Sequence, residues 1–220
     1  SDGRGAGIID AHNFPEFLDA VRLLGTSTSW SANDSAQLKK WFDEYLTWLL
    51  ESKNGKEEAK AKNNHGSWYD VQVASIAIFV GKNDIAEKII KEAKSKRIAY
   101  QTEPDGKQPE ELARTNSLGY SVFNLEALFH LALLGEGFGI DLWHYKTEDG
   151  RSIQTAFDFV LPYLSGDQKW NYQQITPFKT ERSYPLLYVA ALKFKDEKYR
   201  KAYENIPGID QKKHVINMLF

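Results

Sequence analysis

Trp68-Tyr69-Asp70-Val71-Gln72-Val73-Ala74-Ser75-Ile76-Ala77-Ile78-Phe79-Val80, then Gly81-Lys82-Asn83, then residues 84–100, is the stretch that decides the fold. The first segment is apolar almost all round, which predicts a helix buried on every side. In the last segment Ile85, Ile89, Ala93 and Ile98 or Ala99 fall on one face, which predicts an amphipathic helix. Gly81-Lys82-Asn83 leaves room only for a tight turn, so the two form a helix hairpin with one inner and one outer member. Asp84 with Glu87 has the spacing of a capping box.

Working outward, the same pattern recurs. Phe14, Phe17, Leu18, Val21 and Leu24 predict a helix over 14–24. Leu38, Trp41, Phe42, Tyr45, Leu46 and Leu49 predict another over 34–52, capped by Asn33 or Asp34. Residues 118–134 read as a second dense inner helix, and 152–164, 181–194 and 197–205 as further helices. The charged run 51–62 reads as a solvated turn with a short exposed helix, in which Glu58 faces solvent. Two loops stand out. One is 101–116 with Pro104, Gly106 and Pro109; the other is 168–179 with Trp170, Tyr172 and Phe178. The first is longer than the usual connection and therefore a functional suspect. No stretch makes a convincing strand, and there is no fixed-period repeat. About four helix hairpins with uneven loops predict an all-α fold, an α/α toroid or an irregular solenoid, as a single domain over 1–220.

Composition narrows the function classes. A chain of 220 residues buries roughly 70% of its unfolded surface and needs no covalent staples. It has no cysteine, which excludes disulfides, thiolate metal sites and a cysteine nucleophile. Twenty-eight basic against 30 acidic residues, a net of −2, argue against nucleic acid as a partner. With a mean hydropathy of −0.51 and no run approaching about 20 apolar residues, no membrane span is expected. His12, His130, His144 and His214 lack ligand-like spacing, so no metal is expected. His130 reads as a core residue. Ser1-Asp2-Gly3-Arg4-Gly5-Ala6-Gly7 lacks the features of a signal peptide and reads as the middle of a longer chain.

The residues that carry chemistry form two groups. Asn63-Asn64-His65-Gly66 precedes the inner helix, where free N–H groups favour anions and Gly66 permits a close backbone approach. Either Asn63 or Asn64 can simply cap the helix. Arg114 and Tyr120 flank the start of the second inner helix, which Asn116 or Ser117 can cap. Alone, Arg114 reads equally as a partner of Glu110 or Glu111, and Tyr120 as core. Together these side chains suit β-elimination on a uronic acid polymer. Asn and Arg neutralise the sugar carboxylate, a neutral His takes the C5 proton, and a Tyr protonates the departing oxygen.

Residues 63–70, the segment 110–120 and the helix after it resemble the alginate lyase family of α/α-toroid polysaccharide lyases. The resemblance implies Asn64 and Arg114 as carboxylate neutralisers and His65 and Tyr120 as the proton-transfer pair. It implies cleavage of alginate or glucuronan to 4,5-unsaturated ends, with no cofactor. The implied partners are the anionic polysaccharide and the N-terminal half of the toroid, which this chain lacks; export to a secreted or periplasmic location is also implied. Arg4, Asn63, Trp68, Tyr69, Arg182 and Tyr184 are the substrate-binding candidates, beside solvated or core readings of each. Two rival readings stand. One is an α/α-barrel glycoside hydrolase using carboxylates such as Asp70 and Glu110; the other is a non-catalytic glycan-binding module.

Overall fold

A computed structural model describes residues 3–25 and 27–206. Asp2 of the opening loop and His214 lie outside the described residues. Among those described, ten α-helices follow one another: α1 (Phe14–Leu24), α2 (Ala32–Glu51), α3 (Lys53–Glu58), α4 (Asn64–Val80), α5 (Asn83–Ala93), α6 (Pro109–Leu112), α7 (Ser117–Glu136), α8 (Ile153–Leu164), α9 (Tyr184–Phe194) and α10 (Glu197–Asn205). Short 3-10 turns precede α1 (Gly5–Ala11) and α9 (Thr180–Ser183), and a π-helical turn (Lys94–Ala99) follows α5. The described residues contain no strand beyond an isolated antiparallel bridge between Asn116 and Gln174. The fold class is therefore all-α, built from helix hairpins, as the patterning predicts.

The chain divides into two compact units. The first comprises Ser1–Arg97 and His130–Leu142, the second Ile98–Phe129 and Trp143–Phe220. In the first, α4 is the central element and packs against α1, α2 and α5. Val71, Val73, Ile76 and Ala77 of α4 are fully buried among Leu18, Phe42, Leu46, Leu49 and Ile90. Neighbours on all sides explain why α4 has no polar face. Gly81, at φ 89°, ends it in the left-handed conformation that glycine adopts without strain. Two caps differ from expectation. Ser31 and Asp34 form a reciprocal capping box that starts α2 two residues early. Helix α5 has Lys82 at its N-cap and no side-chain cap, and Glu87 pairs instead with Lys91 at 2.6 Å one turn on.

Helix α3 is where charge patterning misleads. Gly55 and Glu58 are buried. A Cβ on Gly55 would come within 1.9 Å of the Leu49 carbonyl oxygen, so this glycine lets a charged helix press onto the end of α2. The same carbonyl accepts a 2.8 Å hydrogen bond from the Tyr69 hydroxyl.

In the second unit Phe129, Trp143, Phe157, Phe194 and Tyr199 form an aromatic core with ring centroids 5.0–6.2 Å apart. The unit also holds a buried amide chain: the Asn124 side-chain amide donates to Gln101 at 2.9 Å and to Gln108 at 2.7 Å. Gln108 in turn donates to the Ser121 carbonyl at 3.2 Å. These bonds order the loop expected over 101–116, in which α6 adds one helical turn. Helix α7 is 20 residues long and apolar enough to cross a membrane by length and composition, contrary to the expectation that no run approaches this. Its apolar window is 61% buried inside the protein, as a core helix is.

Burial, with the neighbouring Asp70 charge, pushes the Tyr69 phenol up to about 12. Below about pH 10 the phenol is protonated in both folded and unfolded chains. Between about pH 10 and 12 the unfolded chain loses this proton and the folded chain keeps it, so stability falls as pH rises. Urea unfolding across this range should show that fall, and Tyr69→Phe should make it shallower.

Candidate active site

In the first unit, the polar residues at the start of α4 are held by a buried ion pair. The Arg97 guanidinium grips Asp70 with two bonds, Nε to Oδ2 at 2.7 Å and Nη2 to Oδ1 at 3.1 Å. It also donates to the carbonyls of Ala61 at 2.8 Å and Ala59 at 2.9 Å. Both side chains are about 95% buried. Burial pushes the Asp70 carboxyl up, and the Arg97 hydrogen bonds and charge oppose the shift. Gly66 lies against this guanidinium: a Cβ there would meet Nη1 and the Ala61 carbonyl oxygen at 2.2 Å each. The close approach that Gly66 predicted is therefore an approach to Arg97.

This anchoring sets the neighbouring residues. The Asn63 side chain caps α4 by accepting from the His65 amide at 3.2 Å. Asn64 is fully buried, and the His65 ring keeps about a fifth of its surface in solvent. His65 Nδ1 lies 2.6 Å from Glu58 Oε1, and the Glu58 side chain is 4% exposed. Sequence reasoning missed Glu58. It lies in a charged run that patterning reads as solvated, and a helix break separates it from His65, so no single-helix periodicity links the two.

In the second unit, the Arg114 guanidinium carbon lies 3.9 Å from the centroid of the Tyr120 ring, a close cation–π contact. Both residues are partly exposed. The start of α7 that carries Tyr120 is strapped by the loop 170–176. Ser117 donates through both its amide and hydroxyl to the Gln173 carbonyl, at 3.0 and 2.6 Å. The Trp170 indole donates to the Ser117 hydroxyl at 2.8 Å, and the Gln174 side chain accepts from the Leu118 amide at 3.0 Å. Asn116, an expected cap, instead accepts from the Thr176 amide and hydroxyl.

The comparisons with known proteins bear on this pair of clusters. The family described as alginate lyase matches residues 1–170, which hold both. The chain belongs to the alginate lyase family. Among solved structures it is similar to an alginate lyase from Bacteroides ovatus, with 37% identity and a TM-score of 0.92 over 97% of this chain. This chain spans 57% of that one. No curated protein matches it significantly.

For a chain of the alginate lyase family, the remaining candidates fall into two kinds. Arg4 is exposed just before the first 3-10 turn, and Arg182 is exposed 3.9 Å from Glu126. Trp68, Tyr69 and Tyr184 are interior. Trp68 lies between the rings of His12 and His130, and Tyr69 bonds to Leu49. Tyr184 stacks on Tyr203 and donates to its hydroxyl at 2.7 Å. These rings present no open face on which a sugar could stack. His130 is one-third exposed, packed on Trp68 and 3.6 Å from Glu16. Burial pushes its imidazole down, against the Glu16 and Asp19 charges. Among the described residues no three metal-ligating side chains gather.

Removing one partner of the Asp70–Arg97 pair leaves a buried charge uncompensated, so Asp70→Asn and Arg97→Met should each cost about 3–5 kcal/mol in urea unfolding. Gly66→Ala should also destabilise the chain, by about 1–3 kcal/mol, through overpacking against Arg97.

Proposed function

We propose that this chain carries the proton-transfer and carboxylate-binding residues of a polysaccharide lyase acting on alginate, with glucuronan as a second 1,4-linked uronate substrate. The observation that supports it most is the Glu58–His65 pair at the start of an inner helix, with the His65 ring partly open to solvent, in a chain of the alginate lyase family. β-Elimination must first make a weakly acidic C5 proton removable. In this reading the partly exposed Arg114 donates to the sugar carboxylate and stabilises the negative charge that develops there, while fully buried Asn64 presents no surface to the sugar.

A base then removes the C5 proton, the C4–O bond breaks, and a C4=C5 double bond forms. The leaving oxygen takes up a proton. Where the proton and the leaving group lie on one face of the sugar, Tyr120 serves as both base and acid. Where they lie on opposite faces, His65 is the base and Tyr120 the acid. The glycoside-hydrolase reading is weaker, because both Asp70 carboxylate oxygens are engaged by Arg97. A hydrolase needs two carboxylates free to act on the scissile bond.

Incubation with polymannuronate, polyguluronate and glucuronan should produce the ultraviolet absorbance of an unsaturated uronate. His65→Ala on one epimer and Tyr120→Phe on both should lower the rate by about 10²–10⁴-fold. New reducing ends without that absorbance would rule out elimination and favour hydrolysis. Binding with no product of either kind would favour a glycan-binding module.

A further inference from the structure

We infer that Glu58 is a positioning residue: its buried carboxylate fixes the His65 ring with Nδ1 protonated and Nε2 bare and directed outward. This inference deepens the lyase reading and rests on it for its catalytic meaning. The geometry is that of a buried acceptor built for one donor. Glu58 ends α3, whose approach is allowed by Gly55 against Leu49. The carbonyls of Ala59 and Ala61, immediately after it, are held by Arg97. Its side chain is 4% exposed and its Oε1 lies 2.6 Å from His65 Nδ1.

An ionised carboxylate can only accept hydrogen bonds, so Nδ1 must carry the proton. The lone pair of the neutral ring then belongs to Nε2. From the other side, the Asn63 side chain accepts from the His65 backbone amide and holds the residue in the first turn of α4. A ring clamped this way presents a base in one tautomer and one orientation. When Nε2 takes the C5 proton, the Glu58 charge stabilises the imidazolium. Glu58 itself exchanges no proton with the sugar.

The test has two arms on the same protein. Nitrogen-15 NMR of the imidazole, with His65 assigned by its loss in His65→Gln, should show the neutral ring protonated at Nδ1. In Glu58→Gln, whose amide can donate as well as accept, this tautomer should lose its dominance. The reverse tautomer in the wild-type protein would overturn the proposal. In the second arm, Glu58→Gln should lower kcat on the substrate that needs His65 by about tenfold or more, with KM within about twofold. Glu58→Asp should recover part of kcat. A wild-type kcat in Glu58→Gln, or a loss carried by KM alone, would overturn it. If the wild-type protein turns over no polyuronate, the lyase reading fails, while the tautomer measurement still decides what Glu58 does to His65.

Discussion

The buried pair between Asp70 and Arg97 is the constraint on which the first unit's polar cluster depends. Taking two charges out of water is costly, and their attraction offsets that cost only when the geometry is good and the remaining donors are satisfied. Here Arg97 gives two bonds to the carboxylate and two to main-chain carbonyls. The result is positional. One guanidinium, on the π-helical turn after α5, links the first turns of α4 and the turn after α3. Those are the segments that carry His65, Asn64 and Glu58. Gly66 is the local condition for this arrangement, since any larger residue would occupy the space of the guanidinium.

In the second unit the described bonds that hold the start of α7 run between neutral groups. The start of α7 is tied to the loop 170–176 by neutral hydrogen bonds, and the Gln101–Asn124–Gln108 amide chain orders the segment leading to it. Neutral networks of this kind cost less to desolvate than charges. Arg114 and Tyr120 are left partly exposed at the edge of this framework, with the guanidinium laid over the ring.

Much of this was legible in the residues themselves. The inner and outer character of the helices follows from hydrophobic periodicity, because a helix surrounded by others needs no polar face while one at the surface needs one. The bounds of α1 match expectation to the residue. The Asn-Asn-His run and the Arg114–Tyr120 spacing marked both clusters and the family. Caps were less legible: Ser31 caps α2 through its box with Asp34, and α5 starts with no side-chain cap. Trp68, Tyr69 and Tyr184 were ambiguous for a simple reason: an aromatic side chain has the same composition signal in a core as in a sugar platform.

The sequence by itself therefore determined the all-α class, the order of the helices and the kinds of side chain available for chemistry, because these depend on periodicity and residue type. Only the tertiary structure decided the partners. Glu58 became a buried acceptor for His65, and Asp70 a structural counter-ion instead of a free carboxylate. Both outcomes arise from burial by segments distant in the chain. The energy of a charged group is set by what replaces its water, and no local stretch of residues records that.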